Sequence, residues 1–364
     1  FQANCRCGPA MAEHTPEDKA ARAAILERGC SVPIKTSTGV WVRCGSRIKS
    51  RCESCAELYR GDWAAIARSG VFDGPFEQYR FYLLTLTAPS FGRVHRVPRS
   101  GSPTRCGCGA LHTVADAGLR GVPLDPAKYD YAGQVAWNRD AGVLWDRTRR
   151  RLRDRWESVE YFIVREWQDR GVLHVHAIVR IARGEAPAAI ALRDAARSAV
   201  AVSKVDGSVV EWGAQAQCDA FRADGDGAKT IWYLSKALNY VLKDVATEAD
   251  DVPVAVWRHQ VSLGDAARRM RCSRDCEPQN CSSLVHQRYG SRSQVVSASR
   301  RTRTRSGWSF TGLTRTVQRR LRREWWESQL REAGADVPAV SPAPLEGLAT
   351  RSRRELVARG WAAP

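Results

Sequence analysis

The sequence predicts an α+β fold: a central antiparallel sheet that carries a two-histidine hairpin, helices over one face of that sheet, a Cys-rich module before it and a basic module after it. Three observations predict this. Strand-like and helix-like segments alternate through the middle of the chain, two of the strand segments are joined by a tight turn ending in Gly171, and cysteines and arginines gather in the flanking stretches.

Taken in order, the first core element is the β-rich run Phe81 to Thr87, with its LLTLT centre, ended by Pro89. From Val135 to Trp156 the spacing of Trp137, Ala141, Leu144, Trp145, Thr148 and Leu152 predicts a helix with one buried face. Val164 to Val179, VREWQDRGVLHVHAIV, reads as a hairpin turning at Asp169, Arg170 and Gly171. Strand side chains alternate faces, so Glu166 and Gln168 before the turn share a face with His174 and His176 after it, while Val172, Leu173, Val175, Ala177 and Ile178 supply an apolar run. Two imidazoles and a carboxylate brought together in this way are suited to a divalent metal with open positions for water or phosphate oxygens. The Ala-rich stretch Ala188 to Ala201 reads as a helix.

Lys229 to Val245, KTIWYLSKALNYVLKDV, is also helical by period. Ile231, Leu234, Leu238, Val241, Leu242 and Val245 form its apolar stripe, and Tyr233, Lys236, Tyr240 and Lys243 fall on the other side. Each tyrosine is followed three positions later by a lysine, which can neutralise charge on the same phosphate. A phenol is a weak nucleophile at its ordinary pKa of about 10, so such a tyrosine needs a metal and an ammonium beside it.

The chain of 364 residues carries 57 Lys and Arg against 39 Asp and Glu, a net charge of +18. That field favours a polyanionic partner. Between Arg288 and Arg323 stand eleven arginines and no acidic residue; Arg300, Arg301, Arg303, Arg305 and Trp308 are the expected DNA contacts, the guanidinium groups on phosphates and the indole on a base. No run approaches the length of a membrane span and no signal peptide is visible, so the expectation is a cytoplasmic chain with no membrane partner. Its cysteines would then be reduced, which favours zinc over disulfides. Cys30, Cys44, Cys52 and Cys55 form one expected structural zinc set, and Cys272, Cys276, Cys281 and His286 a second. Cys106 and Cys108, with His112 close by, are a weaker third group. The expected organisation is a Cys-rich region over 1–70, a catalytic domain over 71–250, a Cys/Arg-rich DNA-binding module over 251–336, and a Pro/Ala linker with a basic tail over 337–364.

The hairpin's His174, Val175, His176 resembles motif 2 of the HUH endonucleases, and Glu166 stands where initiators of the geminivirus kind place a third metal ligand, with Gln168 a further candidate on that face. YLSK and YVLK resemble the Y-x-x-K of motif 3, although the two tyrosines are seven apart instead of four, and LLTLT resembles motif 1. The order of the three is similar to that of actinobacterial plasmid replication initiators. So are CGSRIKSRCESCAELYRGD (44–62), LDPAKYDYAGQVAWNRDAGVLW (124–145) and SQVVSASRRTRTRSGWS (293–309). The resemblance implies a five-stranded HUH nuclease core and rolling-circle initiation: Mg²⁺ or Mn²⁺ on Glu166, His174 and His176, attack by Tyr240 or Tyr233 with Lys243 and Lys236 assisting, and strand nicking and joining through a 5′-phosphotyrosine. Its implied partners are plasmid origin DNA and the host helicase and polymerase. An HUH transposase or relaxase would use the same chemistry. A zinc-containing DNA-binding regulator without catalysis fits the cysteine sets and the basic arm.

Overall fold

The structure is a computed structural model and describes residues 15–27, 29–37, 39, 41–224, 252–291 and 295–332. In chain order these form α1 (Pro16–Glu27), β1 (Ile34–Lys35), β2 (Trp41–Val42), α2 (Glu53–Phe72), β3 (Tyr79–Thr87), β4 (Thr104–Arg105), β5 (Leu111–His112), α3 (Tyr131–Arg155), β6 (Glu160–Trp167), β7 (Leu173–Ala182), α4 (Ala189–Arg197), β8 (Val200–Val202), β9 (Val209–Glu211), β10 (Ala216–Phe221), α5 (Val254–Arg269), β11 (Val296–Ala298) and α6 (Arg315–Glu332). The chain divides into two compact units, 63–313 and the combination of 1–62 with 314–364.

In the larger unit a five-stranded antiparallel sheet has the order β10-β3-β7-β6-β11. The α+β class expected from the sequence is therefore present, with the hairpin strands β6 and β7 in the sheet's interior. One face packs Tyr82, Leu84, Leu86, Ile163, Val175, Ala177 and Val179 against Trp137, Ala141, Leu144 and Leu152 of α3 and Leu192, Ala195 and Ala196 of α4. The α3 residues singled out by spacing are all buried. The helix expected over Ala188 to Ala201 is shorter. Its backbone caps at Ser198, and the β-branched Val200 and Val202 pair with β9 instead.

The second face is shared. At one end lie the histidines. At the other end Trp63 of α2 meets Phe162 edge-on at 6.0 Å, and Trp308 covers Phe162 with ring centroids 6.0 Å apart. Trp308 is 1 % exposed. Its indole N–H donates to Ile66 O at 3.0 Å and Ala67 O at 3.3 Å, and a Cβ on Gly70 would stand 2.1 Å from its ring. Trp308 is thus a core residue and not a base-stacking surface, because an indole surrounded by this much apolar area is more stable docked than solvated. Beside it Arg180 is fully buried, donating to Gly70 O and Gly307 O at 2.7 Å each and lying 3.7 Å above the Phe310 ring.

In the smaller unit Cys30, Cys52, Cys55 and Ile25 make a small core, with Trp41, Val42 and Cys44 packed on it. Buried Asp62 accepts from Arg315 at 3.3 Å and from Arg322, both near or on α6. Among the described residues no helix is long and apolar enough to cross a membrane.

Candidate active site

The β6–β7 hairpin turns through Gln168 to Gly171, with Gly171 N–H donating to Gln168 O at 2.8 Å and Gln168 N–H to Val172 O at 2.9 Å. Gly171 has φ +74°, the left-handed conformation that closes a type I turn into a bulge, and a side chain there would also collide with Leu263. The neighbouring helices hold this turn in place. Buried Asn138 of α3 donates to Gly171 O at 3.0 Å and Tyr289 O at 3.1 Å while accepting from Leu173 N–H at 3.0 Å. Gln134 donates to Arg170 O at 2.8 Å, and His259 Nε2 of α5 lies 2.9 Å from the same carbonyl.

The register places Glu166 opposite His174, and Thr85 and Thr87 of β3 opposite His176 and His174. Cross-strand partners share a face. So Glu166, Gln168, His174 and His176 stand together, as the alternation indicated. Glu166 Oε2 lies 3.3 Å from His176 Nε2, and the two imidazoles meet edge-on with centroids 4.5 Å apart. Each Nδ1 is taken up by a neighbour: Thr85 Oγ1 at 3.1 Å from His176, and Gln168 Nε2 at 3.3 Å from His174. Thr85 Oγ1 can accept the His176 Nδ1 proton, which leaves the Nε2 lone pair of that ring facing an ion, whereas Gln168 Nε2 donates to the Nδ1 lone pair of His174 and keeps that ring's proton on Nε2 until an ion displaces it. Gln168 is oriented in turn by Arg170, whose Nε donates to its Oε1 at 3.1 Å. Burial, the charge on His176 and the charge on Arg170 bring the His174 pKa down to about 3, so its imidazole is neutral.

These side chains open onto a cleft of about 930 Å³ that Arg93, Arg96, Arg99 and Arg170 also line, with Glu166 and Asp169 its acidic groups. Arg99 pairs with Asp169 at 2.8 Å. Sequence reading passed over these four arginines because nothing in their spacing distinguishes them from other surface cations. Arg300 and Arg305 line a second cavity of about 710 Å³ together with Arg149, Arg153 and Arg165. Arg305 is engaged there by Glu160 at 2.9 Å, whereas Arg300, Arg301 and Arg303 are exposed. Tyr233, Lys236, Tyr240 and Lys243 lie outside the described residues. Where the described chain resumes after them, Pro253 lies beside Gly118 and α5 leads to His259 on the hairpin turn.

Among the described residues three groups of four donors come within 4.8 Å of one another, and each could hold a metal such as zinc; the hairpin trio is not one of them. Cys30, Cys44, Cys52 and Cys55 form the first, with Cys30 and Cys55 Sγ at 3.8 Å and backbone N–H groups of Ser31, Cys44 and Ser46 each 3.4 Å from a sulfur. Burial raises the Cys52 thiol, but the N–H groups of Cys55 and Ser31 and the neighbouring thiols outweigh it and hold the pKa at about 7. A second group is Cys272, Cys276, Cys281 and His286. Its Cys272 and Cys281 sulfurs are 3.7 Å apart and Cys276 Sγ is 3.5 Å from His286 Nε2, while His286 Nδ1 lies 2.9 Å from Ala267 O. The third adds His95, which sequence reading missed, to Cys106, Cys108 and His112.

The chain matches the family model described as "Replication initiator protein, pSAM2" (RepSA) over residues 27–364. It belongs to the RepSA replication initiator family. A "Replication initiator protein" of Streptomyces ambofaciens is 37% identical over an alignment of 224 residues, which takes in 51% of this chain. The alignment spans about half of that relative, 48% of its length. No solved structure matches this family member.

Proposed function

We propose that the protein is a rolling-circle initiator that nicks and rejoins one strand of a plasmid origin, using an HUH-type site. The observation that carries this reading is the pairing of Glu166 with His174 and of His176 with Thr85 on one face of adjoining strands, inside an arginine-lined cleft. Two imidazoles and a carboxylate fit a divalent cation that must also bind phosphate oxygens. Glu166, His174 and His176 would hold Mg²⁺ or Mn²⁺, with Gln168 positioning His174. When bound, the ion supplies Lewis-acid polarisation of the scissile phosphate.

The protein's own steps are proton transfer, charge neutralisation and attack. The phenol of Tyr240 or Tyr233 gives up its proton and its oxygen bonds to phosphorus. The P–O3′ bond breaks, and the departing oxygen takes a proton to become a free 3′-hydroxyl able to prime a host polymerase. Lys243 and Lys236 neutralise charge on the phosphate, as do cleft arginines. The 5′-phosphotyrosine conserves the energy of the phosphodiester for rejoining. Incubating the protein with labelled single-stranded origin DNA and Mn²⁺, with and without EDTA, tests this. A tyrosyl adduct is expected only with the metal, and the double variant Tyr233→Phe/Tyr240→Phe should bind DNA without forming it. Adducts from the double variant would overturn the nucleophile assignment.

The same reading assigns structural zinc to Cys30, Cys44, Cys52 and Cys55 and to Cys272, Cys276, Cys281 and His286. A zinc-dependent DNA-binding regulator is the second reading, supported by the near-tetrahedral spacing of these donors. It predicts binding with neither cut nor adduct.

A further inference from the structure

The stretch between β3 and α3 is long, and little regular structure holds it. Its ribbon of β4 and β5 has two residues per strand, far below what stands alone in water, and Leu111 on that ribbon is 62 % exposed. Yet Cys106 and His112 are buried. The ribbon's turn is tight, with Cys106 N–H donating to Ala110 O at 2.9 Å, Gly109 N–H to Cys106 O at 3.1 Å, and Gly109 at φ +93°.

His95, eleven residues before Cys106, supplies the fourth corner. His95 Nδ1 lies 3.2 Å from His112 Nε2 and 3.7 Å from Cys106 Sγ, and Cys108 Sγ lies 3.4 Å from His112 Nε2. A tetrahedral zinc with ordinary bond lengths separates two nitrogens by about 3.3 Å and a nitrogen from a sulfur by about 3.6 Å. The donors therefore already stand at the edges of such a tetrahedron. Their surroundings suit ligation as well. His112 presents Nε2 to the group while its Nδ1 faces Asp116 at 3.4 Å, the carboxylate–histidine pairing that orients a ligating imidazole. Arg96 N–H points at Cys106 Sγ from 3.4 Å, a hydrogen bond of the kind that supports a ligating thiolate.

We propose that His95, Cys106, Cys108 and His112 bind a zinc ion that fixes the arginine wall of the hairpin cleft. His95 lies between Arg93 and Arg96, both of which line that cleft, as does Gly107 between the two cysteines. Arg93 donates to Gly107 O at 3.4 Å, and a Cβ on Gly107 would stand 2.3 Å from the Arg93 guanidinium. Ligation of one residue on each side of this contact ties the two sides of the wall together, and the His95 N–H further bonds Val122 O at 2.8 Å. That the wall faces phosphate rests on the function proposed above. The metal site does not.

The test is made on the full chain. Cys108 is exposed and a bare thiol there reacts with iodoacetamide, whereas a zinc thiolate is protected. Site-resolved mass spectrometry should find Cys106 and Cys108 protected until a zinc chelator is added, then alkylated at least ~10-fold faster. In parallel, Cys106→Ser/Cys108→Ser should hold one zinc fewer than the wild type, whatever the other two clusters hold, and trypsin should cut it faster at Arg93, Arg96 and Arg99. Replacement by a ligand, Cys108→His, should keep the ion. Free-thiol alkylation of Cys108 before chelation, or an unchanged zinc count in the double variant, overturns the site. Unchanged tryptic cleavage overturns its hold on the arginine wall. Neither result depends on whether the protein nicks DNA.

Discussion

The hairpin cleft and the cysteine clusters gather metal-ligating side chains in opposite ways. In the clusters pairs of donors stand 3.4–3.8 Å apart, backed by backbone N–H groups, and of the twelve donors Cys108 alone is exposed. The hairpin trio is looser. Its His176 meets Glu166 but its His174 meets Gln168, and a cleft of about 930 Å³ lies over both. Closed thiolate sets hold structure, whereas an imidazole–carboxylate set with room beside it can admit a substrate oxygen. One chain thus separates the metals that would shape it from the metal that would act on DNA.

The sharpest way to break this comparison is to remove His174 and His176. His174→Ala/His176→Ala should lower nicking about 10³-fold, the several kcal/mol a Lewis acid contributes, and leave the melting temperature and oligonucleotide affinity near wild type. A comparable melting loss would place the histidines with the structural clusters. The opposite result is expected from Cys52→Ser, which should lose one zinc and lower the thermal midpoint on the order of 10 °C. Differential scanning calorimetry with metal analysis reads both. Gln168→Ala separates ligand from support: it should weaken the metal dependence of nicking roughly 10- to 100-fold, seen as a shift in the Mn²⁺ titration with little change at saturation. Smallest is the effect of Arg93→Gln/Arg96→Gln/Arg99→Gln. Log affinity for single-stranded DNA against log salt should flatten by about 2, roughly 0.7 for each phosphate that an arginine no longer neutralises. An unchanged slope would leave the cleft without a polyanion role.

Asn138 marks what positions the site without belonging to it. Its amide satisfies Gly171 O, Tyr289 O and Leu173 N–H at once, so Asn138→Ala should cost about 1–3 kcal/mol of stability and reduce nicking through the hairpin's placement. Restoration by lowering the temperature would distinguish it from a loss at the histidines.

What the sequence determined by itself was local. A period of two put Glu166, Gln168, His174 and His176 on one face, a period of 3.6 marked the buried side of α3, and the spacing of Cys52 and Cys55 suggested a knuckle, because each pattern lies within a few residues and backbone geometry alone converts it to a direction in space. Folding over long distances decided the rest. Trp308, set among arginines, reads as a DNA surface, but it is buried against α2, far away in the chain. Residues 296–298, expected in a separate basic module, complete the central sheet beside β6. His95 looked solitary until the β4–β5 ribbon folded back on it, since a ligand set closes through space and no spacing rule links its first member to the others.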